Sequence, residues 1–459
     1  MWNIARLLNV LAAVFVLLAL AHPSVAATKA PPDVNATREH FLELLRTRQF
    51  APLETAMDGI LREYEQHRLR EWQLDHALRG FQPQEWDAEA PLNDWVRRSP
   101  KAYQPYLARG LFHAARGGFE RGDGWNDEDS AGEQLAAMRI AYESAMGDLQ
   151  QALRLNPRLP MAWATLIAIA GAFDDRGELQ HNLRAGLASV PQSSAIRWSY
   201  AYALDYREAD DELEAFVAET LRSLPKTDPG YRSIGTWLDN FEGYRLLRER
   251  EYHSAVLVFT RAIERDDRAR LRVGRASAEL EAGDTVAAVT DLRAALKMRP
   301  WDDDAVSRLA EVLWEQNKRG EAETLIARAI ALAPMYPGHR LIRAYMRFES
   351  ERGDEALADL DVAQVYGRYD SRVHHLRGEI LIDKDPKAAL KALDTARRLS
   401  PDSPPIQLTY AEALYRAADC RAPDALAAYE RMCAEAQSCS PRASSLRTMM
   451  EDAPCQSTR

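Results

Sequence analysis

The chain has 459 residues, of which 46% are hydrophobic, 28% charged and only 8% aromatic, with a formal net charge of −10. That balance is rich in helix formers and suits an all-α protein. The acidic sum excludes a broad nucleic-acid-binding surface, because phosphate contacts need clustered Lys and Arg.

Met1 to Arg6 carry one positive charge, and Leu7 to Ala21 are apolar apart from Asn9. Pro23-Ser24-Val25-Ala26-Ala27 then supplies small residues where a signal peptidase cuts. Residues 1–26 therefore read as a secretory signal peptide cleaved after Ala26 or Ala27, with a retained anchor helix as the alternative. The apolar run falls short of the ~20 residues that span a bilayer. No cysteine lies near the cut, which excludes a lipoprotein anchor, and no later segment is apolar enough to cross a membrane. The expected mature protein has no stable membrane span and is periplasmic or secreted.

Residues 28–35 read as a linker. The stretch 27–100 is helical in pattern: Phe41, Leu42, Leu44 and Leu45, then Leu53, Met57, Ile60, Leu61 and Tyr64, recur at helical spacing. Trp72, Trp86 and Trp95 imply a packed N-terminal cap. From residue 101 to 225 the sequence reads as a first block of repeats, with Tyr106 and Gly110 on one helix and Ala145, Leu149 and Ala152 on its mate. Between them the glycine- and acid-rich 117–138 stretch is expected to project as a loop. Asp123, Asn126, Asp127 and Asp129 within it offer oxygens to calcium but match no known loop spacing; packing of Trp125 on the cap is the plainer expectation. Extra residues at 226–233 break the phase and suggest a seam there. A second, more regular block fills 226–440, and a capping helix and tail fill 441–459.

The repeat itself is marked by proline. Pro157, Pro191 and Pro225 are thirty-four residues apart, as are Pro300 and Pro334, and Pro401 lies sixty-seven beyond. Proline lacks the N–H and restrains the residue before it, so each one ends a helix. Inside each period a small residue (Ala255, Ala288, Ala322, Ala356, Ala389) is followed four later by a bulky one (Phe259, Leu292, Ile326, Leu360, Leu393). Another alanine comes three after that (Ala262, Ala295, Ala329, Ala363, Ala396). Steps of four and three place all of them on one helix face, small where a neighbour comes close and bulky where a gap is filled. This pattern resembles the tetratricopeptide repeat family, with Trp163, Leu166 and Gly243 at the family's first-helix Trp, Leu and Gly places. The stretch around Trp95, Pro100 and Tyr106 to Gly110 vaguely resembles an uncharacterised bacterial domain that precedes such repeats. The implied architecture is an all-α solenoid of helical hairpins with an N-terminal helical cap.

The resemblance also implies a concave groove lined by first helices that takes a protein or peptide partner. Carried onto this chain, the groove places hold Trp198, Tyr202, Trp237, Asn240, Tyr244 and Trp314. Inter-repeat packing is the competing role for each. Arg340, Arg343 and Arg347, and the run Arg268, Arg270, Arg272 and Arg275, read either as a clamp for an acidic peptide or as ordinary solvated faces.

All cysteines sit at the C-terminus: Cys420, Cys433, Cys439 and Cys455. Antiparallel helices at 423–436 and 441–452 would bring Cys455 back to Cys420 and leave Cys433 and Cys439 across the other turn. Two disulfides, Cys420–Cys455 and Cys433–Cys439, are the expected pairing in an exported chain. No C-x-x-C spacing or nearby histidine supports zinc. His374 and His375 are adjacent, so they face different ways on a helix. No catalytic motif is present, so no enzyme, metal or cofactor is expected. The functional expectation is an exported scaffold that holds a partner noncovalently, as an adaptor in envelope assembly, secretion or polysaccharide export. The alternatives are a binder of cell-wall glycan or peptide, and a hydrolase sited in 36–140.

Overall fold

A computed structural model describes residues 33–84, 87–121, 128–228, 230–435 and 439–452, and among them there is no β-strand. The helices are α1 (Val34–Arg46), α2 (Phe50–Glu65), α3 (Glu71–Leu78), α4 (Glu89–Arg98), α5 (Gln104–Glu120), α6 (Glu128–Leu155), α7 (Pro160–Ala172) and α8 (Arg176–Ser189). Next come α9 (Ser194–Tyr206), α10 (Asp210–Ser223), α11 (Tyr231–Ile234), α12 (Trp237–Arg248), α13 (Tyr252–Arg265), α14 (Ala269–Glu281), α15 (Thr285–Met298), α16 (Asp303–Glu315) and α17 (Arg319–Leu332). The last are α18 (Pro337–Glu349), α19 (Gly353–Tyr366), α20 (Ser371–Leu381), α21 (Pro386–Leu399), α22 (Pro404–Arg416), α23 (Ala422–Glu435) and α24 (Pro441–Asp452).

Local chemistry sets these boundaries. Helices α6, α8, α10, α15, α17 and α21 each end two residues before the periodic proline, as the restraint on the preceding residue requires. Aspartate or serine side chains cap the starts: Asp175 accepts from the Glu178 N–H, Ser193 from Ile196, Asp284 from Ala287, Asp302 from Ala305 and Asp385 from Ala388. Within the hairpins the turn passes through a left-handed residue at Asp174, Glu208, Arg250, Gly283, Asn317, Glu351 and Ala418.

The helices fall into two compact units, residues 1–118 with 139–334 and residues 119–138 with 335–459. In the first unit α1–α4 build a small aromatic core. Phe41 stacks on Phe81 at 5.8 Å and Phe50 on Trp95 at 5.7 Å. The indole N–H of Trp95 donates to Glu54 Oε1 at 2.8 Å. Hairpins α7–α8, α9–α10, α12–α13, α14–α15 and α16–α17 follow. Ala255, Phe259 and Ala262, and their counterparts Ala288, Leu292, Ala295, Ala322, Ile326 and Ala329, are fully buried. Phe259 occupies the gap between α12 and α14: a Cβ on either Gly243 or Gly274 would come within 2.6 Å of its ring.

The second unit holds hairpins α18–α19, α20–α21 and α22–α23, closed by α24. Ala356, Leu360, Ala389, Leu393 and Ala396 are fully buried there and Ala363 nearly so. Leu446 and Met450 of α24 join Tyr429 and Cys433 in one cluster, so the terminal helix covers the last hairpin. Phe119 packs on Tyr336 and Tyr366, and Arg368 pairs with Glu120.

Cys433 and Cys439 are joined, as the spacing predicts. Cys420 is disulfide-bonded as well, while its expected mate Cys455, like the signal segment and Trp86, lies outside the described residues.

One expectation needs correction. The 117–138 stretch is not a loop over its described residues: α5 runs to Glu120 and α6 starts at Glu128. Gly117 serves close packing rather than chain breaking, since a Cβ there would sit 2.5 Å from the Tyr142 ring. Calcium ligation by Asp123, Asn126 and Asp127, the side chain of Asp129, and the packing of Trp125 lie outside what is described. The units divide at 118/119, 138/139 and 334/335, and the stretch 226–233 lies inside the first of them. The cap reaches as far as α17, where Arg38 donates to the Leu332 carbonyl at 2.7 Å.

Candidate partner-binding site

The predicted groove residues on α9 and α12 do meet. Trp198 lies edge-on to Trp237 at 5.2 Å and stacks on Phe241 at 5.0 Å. The Arg270 guanidinium, at the start of α14, sits over Trp198 at 4.6 Å and over Tyr244 at 5.4 Å. Its Nε donates to Asn240 Oδ1 at 3.3 Å. Trp198, Trp237, Asn240 and Tyr244 are therefore joined through one arginine. Tyr202 is half-buried one turn further along α9. Trp314 does not join them; the Arg319 guanidinium covers its ring at 3.7 Å.

Most of these side chains are enclosed. Trp237 and Asn240 are 2% exposed, and Trp198 and Trp314 7%. Their aromatic area is used largely between helices, and Arg270 is left as the half-buried polar group among them. Burial pushes the Tyr244 hydroxyl up in pKa, with Arg270 pulling against it. Burial also pushes Asp205 of α9 up to about 6, opposed by Arg248 and Arg270. The amide nitrogen of Asn240 is buried without a hydrogen-bond partner.

Sequence reasoning missed two members. Phe241 lies next to Asn240 and belongs to a different helix face, so groove places cannot find it. Arg270 was singled out only as part of a run. The structure separates that run: Arg268 pairs with Asp266, and Arg272 and Arg275 converge on buried Asp291. Arg270 has no carboxylate within ion-pair distance among the described residues. The other stripe is likewise internal, with Arg340, Arg343 and Arg347 all on Asp359, which is 2% exposed. These arginines hold a first helix to its own second helix and are not a solvated clamp. His374 bonds the Arg368 carbonyl and His375 bonds Thr409 Oγ1. Burial lowers both imidazoles, His375 to about 3, so both are neutral at pH 7.

Two family profiles match this chain. One, described as a tetratricopeptide repeat, covers residues 279–344 and 381–450. Those two stretches carry tetratricopeptide repeats. The other, a domain of unknown function (DUF4034), covers residues 37–231. It reaches beyond the cap and takes in α5–α10. No curated protein matches the chain. Among solved structures, it is similar to a thermophilic tetratricopeptide repeat protein of Thermus thermophilus, at 19% identity over 39% of this chain and 99% of that one, with a TM-score of 0.36. MamA (residue 41 to its end) from Desulfovibrio magneticus RS-1 is 16% identical over 36% of this chain and 94% of its own, TM-score 0.32. A chain of the APC/C hetero-tetramer Cut9–Hcn1 is 12% identical over 91% of this chain and 96% of its own, TM-score 0.45. The repeats support a role in protein–protein interaction.

Proposed function

We propose that this repeat protein is an exported, non-catalytic scaffold that holds a protein or peptide partner on the inner face of its first helices. Its work is that of an adaptor in envelope assembly, secretion or polysaccharide export. The observation that carries the reading is Arg270: a guanidinium that lies over both Trp198 and Tyr244, bonded to Asn240 and lacking any ion pair among the described residues. A planar fork fixed in this way is ready to take a carboxylate in two parallel hydrogen bonds, so an acidic residue of the partner is the anchor expected. The disulfide Cys433–Cys439 supports an oxidising compartment. In the described residues no helix is long and apolar enough to cross a membrane.

A photo-crosslinking residue placed at Tyr206, which is 44% exposed on α9, tests this in intact cells. One dominant protein adduct is expected, lost in Arg270→Gln while that variant keeps its helical circular-dichroism signal. An adduct unchanged in Arg270→Gln, or capture only from positions in 132–138, would move the site away from α9 and α14.

A further inference from the structure

In an array of helical hairpins each pair packs on its neighbours, so a contact that skips pairs has to come from outside the array. Such contacts gather on one short segment here. Glu71 opens α3, and its Oε2 accepts from the Ser194 N–H at 2.8 Å, the Ser194 hydroxyl at 2.6 Å and the Ala195 N–H at 3.0 Å. Its Oε1 accepts from the Ser193 hydroxyl and from the Tyr64 hydroxyl. Ser193 uses its oxygen to cap Ile196, so its hydroxyl hydrogen is free for the glutamate. A carboxylate thus closes the start of α9, where exposed N–H groups and the helix dipole favour negative charge.

The next residue reaches elsewhere. Trp72 stacks on Trp301 at 5.4 Å, just before α16, and His76 lies on the same indole at 4.8 Å. Arg79 holds Asp75 at 3.1 Å and lies 3.6 Å from Asp303. The Nε2 of His76 ties back to α1 through Asn35 Oδ1 at 2.6 Å, and α1 in turn sends Arg38 to the end of α17. Helix α3 therefore grips the start of α9 and the start of α16, and the two hairpins α12–α13 and α14–α15 lie between those starts in sequence. Burial of Glu71 and His76 shows that these contacts exclude water.

We infer that α3 is a strap that fixes the spacing of the hairpins from α9 to α16, with Glu71 and Trp72 as its two fastenings. A hairpin array is otherwise free to stretch and twist through small changes at every pair interface. Held at two points, this stretch cannot extend without tearing off one fastening. Each fastening then protects the other, although the helices they hold, α9 and α16, are separated in sequence by two hairpins.

Amide hydrogen exchange on the full chain tests this coupling. In Trp301→Ala, exchange at Ser194–Trp198, which the substitution does not touch, is expected to rise about tenfold, as loss of roughly one hydrogen bond's worth of docking implies. In Glu71→Ala the same rise is expected at Asp303–Val306. Residues 255–262 and 288–295 should stay protected in both, since the hairpins themselves remain folded. Loosening confined to each variant's own contacts would reduce Glu71 to a simple helix cap and overturn the strap. If Glu71→Ala does not fold, Trp301→Ala alone decides, because its distant readout at α9 cannot come from local damage.

Discussion

Glu279 shows how one buried group sets a pH response. It ends α14's inner turn, is 8% exposed, and leaves its Oε2 without a hydrogen-bond partner. Burial, reinforced by the Asp291 and Asp284 carboxylates, pushes it up to about 7 against the pull of Arg275 and Arg272. The folded state therefore binds a proton that the unfolded chain releases at ordinary carboxylate pH. Its stabilising contribution is complete below about 4.5 and is lost as pH rises through about 7. Thermal melts of the first unit should fall between pH 5 and pH 8, and Glu279→Gln should flatten that slope while raising the melting temperature at pH 8. An unchanged slope would mean that Arg275 compensates the charge in full. The residue was invisible to sequence reading, because nothing in the local pattern says that Asp291, twelve positions on, faces it.

The hairpins are where sequence and structure agree most closely. The four-and-three spacing of small and bulky residues is a local property of one helix, so it survives without knowledge of the partner helix. Phe259 has neighbours on both sides, at Gly243 and Gly274, and its removal leaves a cavity that glycine backbones cannot fill. Phe259→Ala should cost about 3–5 kcal/mol in urea unfolding of the first unit. Gly378→Ala makes the complementary test, since its Cβ would lie 2.4 Å from Leu393 Cγ; a stability loss of about 1–3 kcal/mol is expected in the second unit only. If both variants unfold with wild-type midpoints, the close-packing account of these glycines fails. The same reasoning explains the misread insertion. Glycine at 117 has two uses, breaking a helix and letting a ring approach, and only the position of Tyr142 tells them apart. The groove places came from the family resemblance, which names a face and not what covers it. Trp198 and Trp237 turned out to cover each other.

Taken together, the chain carries two units built on one hairpin pattern, and they differ in what closes them. The family resemblance located the hairpins, whereas the attachment of the cap to α9, α16 and α17 rests on pairs over a hundred residues apart, such as Glu71 with Ser194. The second unit depends instead on its end. Helix α24 buries Leu446 and Met450 against the last hairpin, and Cys433–Cys439 ties the end of α23 to the residues just before α24. Closing so short a loop is worth about 2 kcal/mol in the chain-entropy account. Reduction with dithiothreitol should therefore release α24 first. Limited trypsin digestion followed by mass spectrometry should show new early cuts after Arg431 and Arg442, with fragments of the first unit unaffected. Cleavage that begins in α1–α4 under reduction would place the weak point elsewhere.

The pairing of Arg38 with the Leu332 carbonyl has a temporal consequence. A ribosome delivers the cap first and its last docking partner 294 residues later. Until Trp301 emerges, Trp72 lacks the ring it stacks on, and sequence-distant closure of this kind is slow to nucleate. The nascent chain must stay incompletely assembled until α17 emerges, an interval in which a holding chaperone has both the time and the exposed surface to bind.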